Sequence, residues 1–339
     1  MDFIIGCYSD GLKTDEGVLC VELNGHSGKL TQKHVMLQTE NPSYVASTPQ
    51  AKYTANEVAK ETPPRLHTLI DSSSDTLDLN GDSPCHISID KHHQFIAISH
   101  YGSGNVNVCT LRSTGQPIEL IADLFVDGSS VNVDRQASPH AHQALFLSTR
   151  DQLAVVDLGS DAIHFFQYDR ALLTFDKTPV QTVSIPAGNG PRHMVFDALE
   201  QTAYVVCELS ETLITLKDID DEWLVVDETD LLPGQKKGEA ASAVKLSPDE
   251  QFLYVSCRHQ NQIAIFSVDG ALPKFIESVG SEGEFPRDFA ISEDGLWCVV
   301  ANQNSNVLVS YKRNIETGLL SFTGHSLEAN APVCVSQLS

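Results

Sequence analysis

The sequence predicts an all-β fold, a closed propeller of seven four-stranded antiparallel blades. Three observations predict it: a short phrase recurs along the whole chain, most copies are followed by two further strand-like runs, and the two ends are half-repeats. The phrase reads Asn41-Pro42-Ser43-Tyr44-Val45, Ser83-Pro84-Cys85-His86-Ile87, Ser138-Pro139-His140-Ala141-His142 and Gly190-Pro191-Arg192-His193-Met194. Weaker copies are Ala241-Ser242-Ala243-Val244, Phe285-Pro286-Arg287-Asp288 and Ala331-Pro332-Val333-Cys334. Successive prolines lie 42, 55, 52, 95 and 46 residues apart, and Ala241 divides the long step nearly in half. That period suits one blade per repeat.

The runs after each phrase are β-branched and aromatic. Examples are Ala203-Tyr204-Val205-Val206-Cys207 with Leu213-Ile214-Thr215-Leu216, and Phe252-Leu253-Tyr254-Val255-Ser256 with Gln262-Ile263-Ala264-Ile265-Phe266. They have strand length and are bounded by Gly, Asn, Asp and Ser. No long stretch places apolar residues at helical spacing. The phrase is therefore expected to be the first, innermost strand of each blade. Seven phrases enclose only six complete repeats. The chain starts in mid-repeat, with Phe3-Ile4-Ile5-Gly6-Cys7 and Val18-Leu19-Cys20-Val21, and stops after one bare phrase. The last strand should join the first three and complete a seventh blade, hiding the edges that an open ring would expose. No linker interrupts the repeat, so residues 1–339 are expected to form one domain.

Composition narrows the partners. A formal charge of −23 argues against nucleic acid and anionic membranes. No apolar run approaches membrane-spanning length. Phe3-Ile4-Ile5 lacks the basic region and apolar length of a secretory leader. Eight cysteines are scattered without a Cys-x-x-Cys pair, and most fall in apolar strand runs. That suits a reducing, cytoplasmic setting and argues against zinc. A monomer or weak homo-oligomer is expected.

The scarce basic groups lie in the repeated units. His86, His142, Arg192 and Arg287 come from different copies of the phrase but should point into one funnel. Glu208 follows the second strand of its blade, and Arg258 takes the matching place in the next, so both should ring the same mouth. His140 and His193 belong to the same layer. A basic, imidazole-rich funnel in an acidic protein suits a small anion. His140-Ala141-His142 offers two imidazoles, but no carboxylate or cysteine set accompanies them. No metal or other cofactor is expected. No Gly-x-Ser-x-Gly elbow supports a nucleophilic serine.

At these residues the chain resembles the lactonase family of seven-bladed propellers, which includes 6-phosphogluconolactonases and carboxy-cis,cis-muconate lactonising enzymes. The strongest carriers are Gly190-Pro191-Arg192-His193-Met194-Val195-Phe196 with Tyr204-Val205-Val206-Cys207-Glu208-Leu209. Arg135-Gln136-Ala137-Ser138-Pro139-His140-Ala141-His142, Tyr101-Gly102-Ser103-Gly104 and Asn56-Glu57 add to them. The resemblance implies an active centre of His142, Arg192 and Glu208 with Arg258 beside them, and His86, His140, His193 and Arg287 as further substrate contacts. It implies a metal-independent hydrolase of a small anionic lactone, 6-phosphogluconolactone first, with Glu208 or His142 as the base. Muconate-type cycloisomerisation and hydrolysis of another lactone remain open on the same scaffold, as does a non-catalytic binding propeller.

Overall fold

The computed structural model describes residues 1–9, 17–71, 73–270 and 272–338. Among the described residues there is no helix. The strands form seven antiparallel sheets, and the first strand of each packs against the first strand of the next until the ring closes. Counting from the first complete repeat, the innermost strands are Pro42–Ser47, Pro84–Ile89, Ala141–Phe146, Pro191–Phe196, Ala241–Leu246, Pro286–Ile291 and Pro332–Gln337. Each is a copy of the phrase, as expected.

The seventh blade is built from both ends of the chain. Pro332–Gln337 pairs antiparallel with Asp2–Cys7, which continues into Val18–Leu23 and Leu30–Leu37. The third blade departs from the simple pattern. Its outer strand is split into Thr174–Phe175 and Gln181–Ser184, both paired with Ala162–Asp169. Pro179 sits in the break and has no N–H to donate to a ladder.

The core is distributed between blades. Alternate residues of one strand face opposite neighbours, as the period of two requires. In the fourth blade Ala203, Val205 and Cys207 pack toward the third blade, whereas Tyr204 and Val206 pack toward the fifth. Every blade-to-blade interface has such a cluster. The interface between the seventh and first blades has a small one, built on Ile4, Val18, Val45 and Cys334.

Two backbone features recur in all seven blades and position the site. First, the residue just after each second strand donates its N–H to the carbonyl just before the first strand. These bonds are Tyr8 to Ala331, Glu57 to Asn41, Tyr101 to Ser83, Leu158 to His140, Glu208 to Gly190, Arg258 to Ala240 and Gln303 to Phe285, at 2.7–3.1 Å. Second, each innermost strand carries a bulge near its start. The residue without a direct partner is Ser43, Cys85, His142, Arg192, Arg287 or Val333, and lies within Ser242–Ala243 in the fifth blade. A bulge locally redirects a side chain out of the regular alternation.

Removing residues 331–339 should destabilise the whole ring. It removes the buried Val333, Cys334 and Val335 and leaves Asp2–Cys7 as an unpaired sheet edge. At about 1.5–3 kcal/mol for each buried apolar side chain, the loss should reach about 5 kcal/mol. Urea unfolding is the check, and a midpoint equal to that of the full chain would contradict the closure.

Candidate functional site

The bulge residues and those following the second strands meet at one mouth of the channel. A cavity of about 190 Å³ there is lined by Glu57, Cys85, Tyr101, Arg135, His142, Glu208, Arg258 and Arg287. Beneath it lies a chamber of about 10 Å³ that shares Glu57, Cys85 and Arg287 and also touches Arg192 and His193. That is roughly the space of one water molecule.

Glu208 is the hub. One carboxylate oxygen, Oε2, pairs with Arg192 Nε and with Arg258 Nη2, each at 3.0 Å. The other, Oε1, accepts from Arg135 Nη2 at 2.7 Å. Burial alone would push the Glu208 carboxyl up, but Arg258 and Arg192, then His142 and Arg135, more than offset it and hold it well below the usual carboxylate range. Arg192 and Arg258 are built into the wall. Arg192 Nη1 donates to the Ser242 carbonyl at 3.1 Å, and Arg258 donates through Nε to Ala240 O at 2.9 Å and through Nη2 to Ala241 O at 3.3 Å. Burial lowers Arg258 to about 10 despite the opposing pull of Glu208, which leaves it charged at neutral pH.

The Gly190-Pro191 turn joins two of these groups. Gly190 has φ +62°, its N–H donates to Asp161 Oδ1 at 2.6 Å, and its carbonyl receives the Glu208 N–H. A Cβ there would also lie 2.6 Å from Leu209 Cγ. Glycine is needed for both conformation and space.

Across the mouth, Arg287 Nη2 donates to Tyr8 Oη at 2.9 Å, and Tyr8 donates to Glu57 Oε2 at 2.7 Å. Burial pushes the Tyr8 phenol up, so it stays protonated and serves as that donor. In the upper cavity Arg135, Arg258 and Arg287 face the carboxylates of Glu57 and Glu208, one positive charge in excess, while Arg192 below has both Glu208 and Asp288 near it.

His142 lines the upper cavity, with Nδ1 3.8 Å from the Cys85 sulfur. Burial, reinforced by Arg192, pulls its pKa well below the ordinary histidine value, so the ring is neutral. Deeper in the channel its ring meets His193 at 5.3 Å, and His193 meets His86 at 5.5 Å. His86 continues to Tyr44 at 4.3 Å. Burial holds both deeper imidazoles neutral as well.

The structure thus gathers His142, Glu208, Arg258 and Arg287 around one cavity, and Arg192 joins them through Glu208 from the lower chamber. His193 reaches only the lower chamber, and His86 does not line the upper cavity. His140 lies outside it. Its ring stacks on Tyr101 at 4.4 Å and its Nδ1 contacts Tyr101 O at 2.6 Å, so it supports Tyr101 from outside the cavity. The bulge separates the two histidines: His142 is the bulged residue, and His140 precedes the strand. The sequence does not single out Tyr8 and Cys85 as site residues, and it presents Glu57, Tyr101 and Arg135 only as part of a resemblance. Tyr8, Glu57 and Tyr101 occupy the same repeat position as Glu208 and Arg258, and that equivalence is the signal that finds them. Among the described residues, no cluster of three or more His, Cys, Asp or Glu side chains is arranged to hold a metal ion.

Fold and site together define a propeller with an arginine-rich channel mouth, and residues 2–337 match the family of seven-bladed β-propeller lactonases, to which the chain belongs. The chain is 29% identical over 347 residues to the 6-phosphogluconolactonase of Bacillus subtilis (strain 168), covering 98% of this chain and 97% of that protein. It is 30% identical over 342 residues to the 6-phosphogluconolactonase of Formosa agariphila, covering 96% of each. Among solved structures, a Lactobacillus plantarum protein superposes with a TM-score of 0.90 at 26% identity, covering 100% of this chain and 99% of that one. The periplasmic gluconolactonase of Pseudomonas aeruginosa gives 0.87 at 26% identity, covering 99% and 98%.

Glu208→Gln should leave two buried guanidiniums without their counter-charge and cost about 3–5 kcal/mol of stability. The pH dependence has a definite sign. The unfolded carboxyl titrates near about 4.3 and the folded one well below it, so the stabilisation is complete above that value and fades as pH falls toward the folded pKa. Urea titrations from pH 7 downward should show a shallower acid loss in Glu208→Gln than in wild type. Parallel curves would count against the hub.

Proposed function

We propose that this protein is a lactonase that opens a phosphorylated sugar lactone, 6-phosphogluconolactone being the first candidate. The observation that carries the reading is a cavity of about 190 Å³ lined by three arginines against two carboxylates. A phosphate monoester offers those guanidiniums a further anionic partner. The cavity lies below the roughly 300–1,000 Å³ typical of drug-sized ligands, which suits a small metabolite. The names of the Bacillus and Formosa relatives support the same substrate class.

His142 is the better base of the two candidates. Both oxygens of Glu208 are occupied by guanidiniums, and those charges drain its basicity. Neutral His142 has a ring nitrogen able to accept a proton. Water attacks the lactone carbonyl carbon while the imidazole takes its proton. The carbonyl π electrons move to oxygen, where Arg258, with Arg287 across the mouth, stabilises the oxyanion. As the oxyanion collapses, the ring C–O bond breaks. The departing alkoxide takes the proton back from the imidazolium, giving an open-chain hydroxy acid whose carboxyl then ionises. A lactone is an activated ester, so a weak base suffices. No step calls on a metal. Glu208 acts here as the fixed anion that aligns Arg192 and Arg258.

Hydrolysis measured above the spontaneous rate on a panel of phosphorylated and plain sugar lactones tests the reading. The phosphorylated lactone should be preferred at least tenfold in kcat/KM, a modest gain for charge-assisted bonds of about 1.5–3 kcal/mol each. Absence of catalysis on every lactone would refute the proposal. Prolonged chelation should leave the rate unchanged, and a loss restored by added divalent metal would overturn the metal-free route.

His142→Gln should lower kcat by about 10²-fold or more. Because burial and Arg192 keep the wild-type imidazole neutral, kcat/KM should be flat from about pH 6 to 8. An inflection near the ordinary histidine value of about 6.5 would show that His142 titrates normally and is not held as described.

A further inference from the structure

One side chain in the upper cavity does not belong to the repeat. Glu57, Tyr101, Glu208 and Arg258 each follow a second strand, and Cys85, His142 and Arg287 are bulge residues. Arg135 comes instead from the connection over residues 125–140, between Pro117–Leu124 of the second blade and Ala141–Phe146 of the third. This is the longest connection between consecutive blades. It is exposed at Phe125, Val131 and Val133, the last 78% accessible. It is nevertheless anchored next to Arg135. Gln136 is fully buried and its Nε2 donates to Leu158 O at 2.9 Å. A tight turn is closed by the Gln136 N–H to Asn132 O at 2.7 Å, and Ser130 N–H donates to Gln136 O at 2.9 Å.

Arg135 also differs from its neighbours in how it is held. Its side chain is 38% exposed, against 4% for Arg192 and 7% for Arg258. The two buried arginines share Glu208 Oε2 and donate to backbone carbonyls. Arg135 takes only Oε1 and the Tyr101 hydroxyl, at 3.2 Å. If Arg135 swings away, Glu208 keeps two charged partners and stays compensated. Arg135 keeps water access and a phosphate can replace its carboxylate partner. Withdrawal of Arg192 or Arg258 would instead leave backbone carbonyls and a buried charge without partners.

We propose that Arg135 is the specificity-determining residue for the anionic group of the substrate: an exchangeable arm that rests on Glu208 in the free protein and transfers to the substrate phosphate on binding. This deepens the lactonase reading and rests on it for the substrate, but the anion exchange itself can be measured without turnover. The ligand is recognised as a phosphate monoester dianion, with inorganic phosphate as its simplest surrogate. No covalent step is involved.

The test compares wild type, Arg135→Ala and Arg135→Lys. On 6-phosphogluconolactone, Arg135→Ala should raise KM at least about tenfold more than it does on unphosphorylated gluconolactone, with kcat less affected than KM. Arg135→Lys should recover part of that selectivity, since it keeps the charge but not the planar fork. Inorganic phosphate should compete with gluconolactone in wild type, and its inhibition constant should rise at least about tenfold in Arg135→Ala. Equal losses on the two lactones, or unchanged phosphate inhibition, would overturn the proposal. If wild type hydrolyses no lactone, phosphate binding by calorimetry decides. Binding that weakens tenfold in Arg135→Ala supports the arm while the lactonase reading fails, and wild type that binds no phosphate overturns the arm.

Discussion

The backbone hydrogen bond that ties the end of each second strand to the turn before the first strand is the constraint on which the site depends. It is present in all seven blades at 2.7–3.1 Å. It fixes two places per blade at the channel mouth, one just after the bond donor's strand and one at the bulge. Neither place needs a particular side chain to form, because the bond is between main-chain groups and bulge geometry is set by the ladder. The mouth can therefore carry Tyr, Glu, Leu, Arg or Gln after the second strand without any change in fold. Chemistry is written on a scaffold whose stability comes from the apolar clusters between blades.

Separation of scaffold and chemistry also explains what could be read in the sequence. The innermost strands were legible because their phrase repeats, and it repeats because each copy begins with the same turn, often with a proline that needs no ladder partner. Closure by the last strand followed from the half-repeats. His142, Arg192 and Arg287 were found because they sit inside the phrase, and Glu208 and Arg258 because one matching position was noticed in two adjacent blades. Tyr8 and Glu57 occupy that position too, but nothing in their identities resembles Glu208 or Arg258. Only the shared main-chain bond shows the equivalence. Arg135 lies outside the repeat altogether, so no periodic argument reaches it. His140 was grouped with His142 because a regular strand gives no reason to expect the one-residue offset that separates them. The split outer strand of the third blade lies far from the channel, where exposed strands tolerate interruption.

The charges at the mouth answer to burial before they answer to substrate. Three guanidiniums converge on a carboxylate that is only 6% exposed, and without Glu208 their mutual repulsion in a poorly solvated place would be prohibitive. Glu208 therefore has a structural reason to be ionised, and the same reason makes it a poor proton acceptor. Imidazoles beside it meet the opposite demand. Burial first, and nearby positive charge second, keeps His142, His193 and His86 neutral. Burial and the arginines together thus set two protonation states, a fixed anion and a column of neutral rings, before any ligand arrives.

The net charge of −23 has the same sign as the proposed ligand, but the surface charge and the mouth act over different distances. At physiological ionic strength the field of exposed carboxylates decays within about 8 Å, whereas the guanidiniums at the mouth act at contact and in a less polarisable setting. For the proposed anionic substrate, attraction would be confined to the mouth and opposed by the rest of the surface. The cavity lining holds three arginines against two carboxylates, a state that is tolerable because Arg135 is partly exposed to water. Under the proposed function, a ligand that expels the water supplies counter-charge itself. A neutral molecule of the same size would dehydrate the arginines without compensating them, so on that proposal charge discriminates before shape.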